Sequence, residues 1–127
     1  MPVEDSAEEI AEEAAAFVAR LEDTRALWLR RLGGAYDRGE VVAMWGAGSK
    51  GVGFLAALGE VRGISCVVDV NPAKHGMFMP GTGHEIVAPA ALVDLDPDLV
   101  VVMNPAYENE IRATLADLGV RATVTAL

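Results

Sequence analysis

One stretch of this chain restricts the fold more than any other: "MWGAGSKGVGF", Met44 to Phe54. Gly46, Gly48 and Gly51 have the spacing G-x-G-x-x-G, with the apolar run Val41–Trp45 before them and a helical pattern through Leu58 after them. That spacing suits a strand–turn–helix corner of an α/β unit, and each glycine has a separate task there. The first permits the tight turn, the second lets backbone approach a phosphate, and the third lets helix and strand pack closely. The helix that follows opens with unpaired N–H groups and partial positive charge, which favours an anion. A corner of this kind either receives a nucleotide-like ligand or simply folds, and the spacing alone leaves both open.

The rest of the chain repeats the alternation. Strands are predicted at Ser65–Val70, Glu85–Val87, Leu99–Met103 and Arg121–Ala126. Helices are predicted from Pro89 to Leu95 and from Ala106 to Leu118, with Gly119 as a stop. Residues 71–84, rich in Pro and Gly, read as an extended loop. Strands alternating with helices imply right-handed crossovers and a mainly parallel sheet covered on both faces. The expected fold is therefore α/β, a three-layer Rossmann-like domain over residues 40–127. A long helix over Ser6–Leu32 is expected before it, within an acidic segment 1–39. Ser6 and Glu9 can form a capping box, and Ile10, Ala14, Phe17, Leu21, Trp28 and Leu32 share one face. Gly33-Gly34 supplies a stop that Ala35–Arg38 can prolong by a turn. This helix either packs on the domain or leads to a further domain or partner.

A chain of 127 residues is one domain's worth, short for a complete two-substrate enzyme. Its net charge of −9, with no basic stripe, argues against nucleic acid as a partner. Most of the acidity lies in the first 23 residues, where eight carboxylates face Arg20 alone, so the body is nearly neutral. Cys66 is the sole cysteine and sits among apolar neighbours, which excludes an internal disulfide and suggests a buried thiol. No signal-peptide pattern and no membrane-length apolar run is evident, so a cytoplasmic setting without membrane contact is expected.

Candidate ligand contacts cluster where a parallel sheet gathers its loops. Asp69, at the end of the second strand, stands where an acid would accept hydrogen bonds from a ribose. Lys50 is either a point charge for phosphate or a solvated lysine near a helix start. Asn71, Lys74, His75, Thr82, His84, Asn104 and Tyr107 leave strands two and four at their carboxyl ends, and can converge on one crevice with the glycine turn. Taken singly, each also fits a turn or capping role, since Asn-Pro occurs twice. Two histidines and one cysteine make no metal constellation. Neither histidine has an evident partner for general-base work, so no catalytic residue is expected. The phosphate-loop spacing G-x-x-x-x-G-K-[ST] and the serine elbow G-x-S-x-G are absent, and the glycine turn does not suit S-adenosylmethionine. Met44, Met77, Met79 and Met103 read as packing residues.

Three stretches, "VVAMWGAGSKGVGFLAAL", "VVDVNPAKHGMFMPGTGHEIVAP" and "PDLVVVMNPAYENEI", together resemble the carboxy-terminal domain of the sugar C-methyltransferases. The resemblance covers about residues 10–120; the lysine-bearing turn and "KHGMFMPGTGHEI" are its most specific parts. It implies that S-adenosylmethionine and the catalytic residues reside on a separate methyltransferase domain or subunit, beside a zinc-binding region. This domain would bind the nucleoside diphosphate-sugar, whose sugar is a deoxysugar in that family. Carried over, Gly46, Ala47, Gly48, Ser49, Lys50 and Gly51 would lie near the diphosphate. Asp69, Asn71, Lys74, Pro80, Gly81 and Thr82 would lie nearby, with Asn104 and Tyr107 across the crevice. Neither the cysteine-rich region nor an S-adenosylmethionine motif occurs in these residues. An NAD(H)-binding module, with Asp69 on the adenosine ribose, is the alternative. A structural domain with an empty turn is the third reading.

Overall fold

The computed structural model describes the backbone of residues 3–59 and 62–127. The side chains of residues 1–11, 14, 17, 18, 21–23, 60 and 61 lie outside the described set. The expected capping box at Ser6 and Glu9 and the face of Ile10, Ala14, Phe17 and Leu21 therefore fall outside it.

Among the described residues five short strands form one parallel sheet: β1 (Val42–Trp45), β2 (Ile64–Val68), β3 (Ile86–Val87), β4 (Leu99–Val102) and β5 (Thr123–Ala126). Their order across the sheet is β3-β2-β1-β4-β5, so the direction of winding reverses between β1 and β4. Among the described residues four helices accompany them: α1 (Val3–Asp37), α2 (Ser49–Leu58), α3 (Leu92–Leu95) and α4 (Glu108–Leu118). Single 3-10 turns at Pro72–Lys74, Pro89–Ala91 and Pro105–Tyr107 each begin on a proline, whose fixed φ suits a first helical position.

The two faces of the central strands carry separate cores, because successive side chains in a strand point to opposite sides. Val42, Met44, Leu99 and Val101 pack with Trp28, Leu32, Phe54, Leu55 and Leu58 from α1 and α2. Ala43, Trp45, Val100 and Val102 pack with Leu92 of α3 and with Ile111 and Leu115 of α4. This gives the three layers expected of an α/β domain. Central strands buried on both faces explain why "LVVV" at β4 is continuously apolar rather than alternating. Cys66 belongs to the second core, and burial together with the charge of Glu85 pushes its thiol up to about 11.

The described end of α1 is integral to the first core. Leu32 is fully buried, and the Trp28 and Phe54 rings meet edge to face at 5.6 Å. The Arg25 guanidinium donates to the carbonyls of Ala57 and Leu58 at 2.6 and 3.4 Å, serving C-terminal oxygens that α2 cannot pair internally. α1 runs past the Gly33-Gly34 pair and ends at Asp37, within the extra turn that Ala35–Arg38 allows, before Gly39 turns the chain. Packing of Ala35, only 2% exposed, outweighs the low helix propensity of the two glycines.

Candidate functional site

The glycine turn connects β1 to α2, and its three glycines have different reasons for lacking a side chain. Gly46 has φ +128°, and a Cβ there would come within 2.9 Å of Met103 Cβ. Gly51 lies in α2 against the turn, where a Cβ would meet the Gly46 carbonyl oxygen at 2.2 Å. Both are demanded by the chain's own packing. Gly48, the N-cap of α2, has φ −82° and nothing within 4 Å of a built Cβ. The fold does not require a glycine at this position. No side chain caps α2 at Gly48, so the first-turn N–H groups are left to another acceptor.

Asp69 follows β2 and holds the turn in place. Its Oδ2 accepts the Ala47 N–H at 3.0 Å and its Oδ1 accepts the Asn71 N–H at 2.9 Å. Lys74 Nζ stands 4.0 Å from Oδ2, and His75 Nε2 donates to the Asp69 carbonyl oxygen at 2.6 Å. Two backbone N–H groups, one on each oxygen, thus tie this carboxylate to the turn and to the loop after β2.

A cleft of about 600 Å³ opens between the carboxyl ends of β1 and β4, where the winding reverses. Such switch points are where open α/β sheets bind ligands. Gly46, Gly48, Ser49, Lys50 and Gly51 form one wall, and Asp69 and Val70 lie at the β2 end. Asn104, Tyr107, Glu110 and Thr114 form the opposite wall, over an apolar floor of Trp45, Val102, Met103 and Ile111. The crevice thus brings together Gly46, Gly48, Ser49, Lys50, Gly51, Asp69, Asn104 and Tyr107. Ala47 is buried behind the turn and serves it through the bond to Asp69.

The other predicted contacts do not line this cleft. Asn71 accepts the Ala73 N–H and caps the 3-10 turn that also holds Lys74. The loop then folds back on the β3 edge. The Gly76 N–H donates to the Ile86 carbonyl at 2.9 Å, the Ile86 N–H to Met77 at 2.8 Å, and the Met79 N–H to His84 at 2.8 Å. These bonds draw Pro80, Gly81, Thr82 and His84 toward the sheet edge, two strands from the switch point. His84 Nδ1 meets Thr82 Oγ1 at 2.8 Å, and burial lowers the His84 pKa. Met44, Met79 and Met103 are core residues, whereas Met77 is exposed on this loop beside Phe78. Among the described residues no group of acids, histidines or cysteines could hold a metal, and no helix is long and apolar enough to cross a membrane.

Sequence reasoning missed Glu110 and Thr114. The signal was their spacing, since on a helix both fall on the face of Ile111 and Tyr107 that turns toward β4.

No curated protein matches the chain. Among solved structures, the chain is similar to UDP-D-quinovosamine 4-dehydrogenase from Vibrio fischeri. The match has a TM-score of 0.51 and 24% identity, over 67% of this chain and 76% of that one. It is also similar to RSP, a Rex-family repressor, with a TM-score of 0.49 and 12% identity over 69% of this chain and 52% of the repressor. The chain thus spans about half the length of that repressor, and the likeness to the dehydrogenase concerns the fold alone. Residues 4–124 match the family described as the C-methyltransferase C-terminal domain, and the chain belongs to that family.

Proposed function

We propose that this domain binds a nucleoside diphosphate-sugar, the substrate of a C-methyltransferase, and does not itself catalyse methyl transfer. The observation that carries the reading is Gly48. It sits at the uncapped N-terminus of α2 on the wall of a cleft of about 600 Å³, and its missing side chain answers to nothing in the protein. A side chain there would project where an approaching diphosphate could otherwise accept from the first-turn N–H groups. Lys50 on the same wall adds positive charge. Membership of a C-terminal domain family supports a division of labour, with S-adenosylmethionine and the methyl-transfer residues on a methyltransferase domain or subunit. The NAD(H) alternative asks Asp69 to serve a ribose while it also braces the turn through Ala47 and Asn71.

Calorimetric titration with dTDP, dTDP-glucose, NAD and S-adenosylmethionine tests the reading, with Gly48→Val as the control. The expected result is binding of dTDP and dTDP-glucose that Gly48→Val abolishes, with NAD and S-adenosylmethionine silent. NAD binding without dTDP binding would overturn it.

A further inference from the structure

The two walls of the cleft differ in chemistry. The α2 wall presents backbone N–H groups and Lys50, suited to an anion. The α4 wall presents an amide, an aromatic ring and a carboxylate: Asn104, Tyr107 and Glu110. Asn104 Oδ1 accepts the Ala106 N–H at 3.1 Å, which leaves the amide NH2 to donate elsewhere. Tyr107, also in the cleft lining, is 53% exposed. The first turn of α4 holds two acids with different commitments. Glu108 is bound to Arg112 at 3.1 Å, whereas among the described residues no hydrogen bond or ion pair engages the Glu110 carboxylate. Thr114 donates to the Glu110 backbone carbonyl at 3.0 Å, so its hydroxyl proton is occupied.

A carboxylate can accept two adjacent hydroxyl protons at once, an amide NH2 can donate to a hydroxyl oxygen, and an aromatic face covers the apolar face of a pyranose ring. We infer that the α4 wall is the sugar subsite and that Glu110 is a specificity-determining residue. On this assignment Glu110 accepts from neighbouring hydroxyls of a neutral hexose and repels hexoses that carry a carboxylate. The inference rests on the proposed nucleotide-sugar reading, which places the diphosphate on the opposite wall. It adds an exclusion that the diphosphate end cannot supply, since every nucleotide-sugar shares that end.

The test compares dTDP, dTDP-glucose and dTDP-glucuronate on wild type, Glu110→Gln and Glu108→Gln. Thymidine has no ribose 2′-hydroxyl, so the only neighbouring hydroxyls in the set belong to the hexose. Wild type is expected to bind dTDP-glucose about tenfold more tightly than dTDP, and dTDP-glucuronate about tenfold more weakly than dTDP-glucose. Glu110→Gln should bring the glucose-to-glucuronate ratio close to one while leaving dTDP affinity unchanged, and Glu108→Gln should keep the wild-type ratio. Equal affinity of wild type for the two sugars, or a ratio that survives Glu110→Gln, would overturn the assignment. Loss of dTDP itself in Glu110→Gln would place the carboxylate on the nucleoside and overturn it as well. Failure of wild type to bind dTDP at all would overturn the nucleotide-sugar reading and the sugar subsite with it.

Discussion

The Ala47 N–H donates to Asp69 Oδ2 at 3.0 Å, joining the glycine turn to the end of the neighbouring strand across 22 residues of sequence. The other oxygen of the same carboxylate holds Asn71, so one side chain sets the position of two loops that border the cleft. Replacing Asp69 by Asn puts an NH2 group against one of these two N–H donors. The expected cost is about 1–3 kcal/mol in urea unfolding, with faster hydrogen exchange at Ala47. Unchanged stability combined with altered NAD affinity would instead make Asp69 a ligand contact.

The glycines of the turn should separate by experiment. Gly51→Ala places a Cβ 2.2 Å from the Gly46 carbonyl and should destabilise the domain by about 2 kcal/mol or more. Gly48→Ala meets nothing within 4 Å and should leave stability within about 0.5 kcal/mol while weakening dTDP-glucose at least tenfold. Thermal melts and titrations on the same samples check both. Equal effects of the two substitutions on stability would remove the distinction.

Phe54 is fully buried and holds α2 against Trp28 of α1. Phe54→Ala should cost about 3–5 kcal/mol, and Trp28→Ala a similar amount despite lying outside the sheet-and-helix alternation. A double-mutant cycle by chemical denaturation should return a positive coupling of about 1 kcal/mol for the edge-to-face pair. Full additivity would mean that the rings merely share a core.

Cys66 is 4% exposed, and burial, with a smaller contribution from Glu85, raises its thiol from 9.0 to about 11. The unfolded chain gives up this proton first as pH rises. The contribution to stability is therefore whole below pH 9.0 and declines toward pH 11. Denaturant midpoints of wild type should fall across that window more steeply than those of Cys66→Ala. At pH 8 the folded thiol should react with a disulfide reagent only as fast as the protein opens.

The α/β alternation, the parallel sheet and the glycine corner were legible in the residues because each rests on local causes. A continuous apolar run such as Leu99–Val102 must be buried on both faces, and G-x-G-x-x-G between strand and helix has few other uses. Element ends were less legible. The Gly33-Gly34 pair has a low helix propensity that the burial of Ala35 overrides, and no local rule registers that burial. Half of the cleft was legible for the same local reason: Gly46 to Gly51 adjoin in sequence, and Asn104 and Tyr107 follow a strand end.

The remainder depended on contacts between distant residues. Nothing around Asp69 distinguishes a ribose acceptor from a brace for Ala47; the folded geometry places the two 3.0 Å apart. Nothing in the Pro- and Gly-rich loop shows that Thr82 and His84 are drawn to the sheet edge, since the bonds that hold them there are made by backbone groups, which every residue carries. The i,i+4 spacing already offers Arg112 to Glu108, but that Glu110 lines the cleft depends on how α4 packs on the sheet. The sequence by itself determined the class of fold and the position of the corner, because periodicity and glycine spacing act over a few residues. Which side chains share the cleft was decided only by the tertiary structure, because the strand order that brings β1 beside β4 lies in long-range pairing.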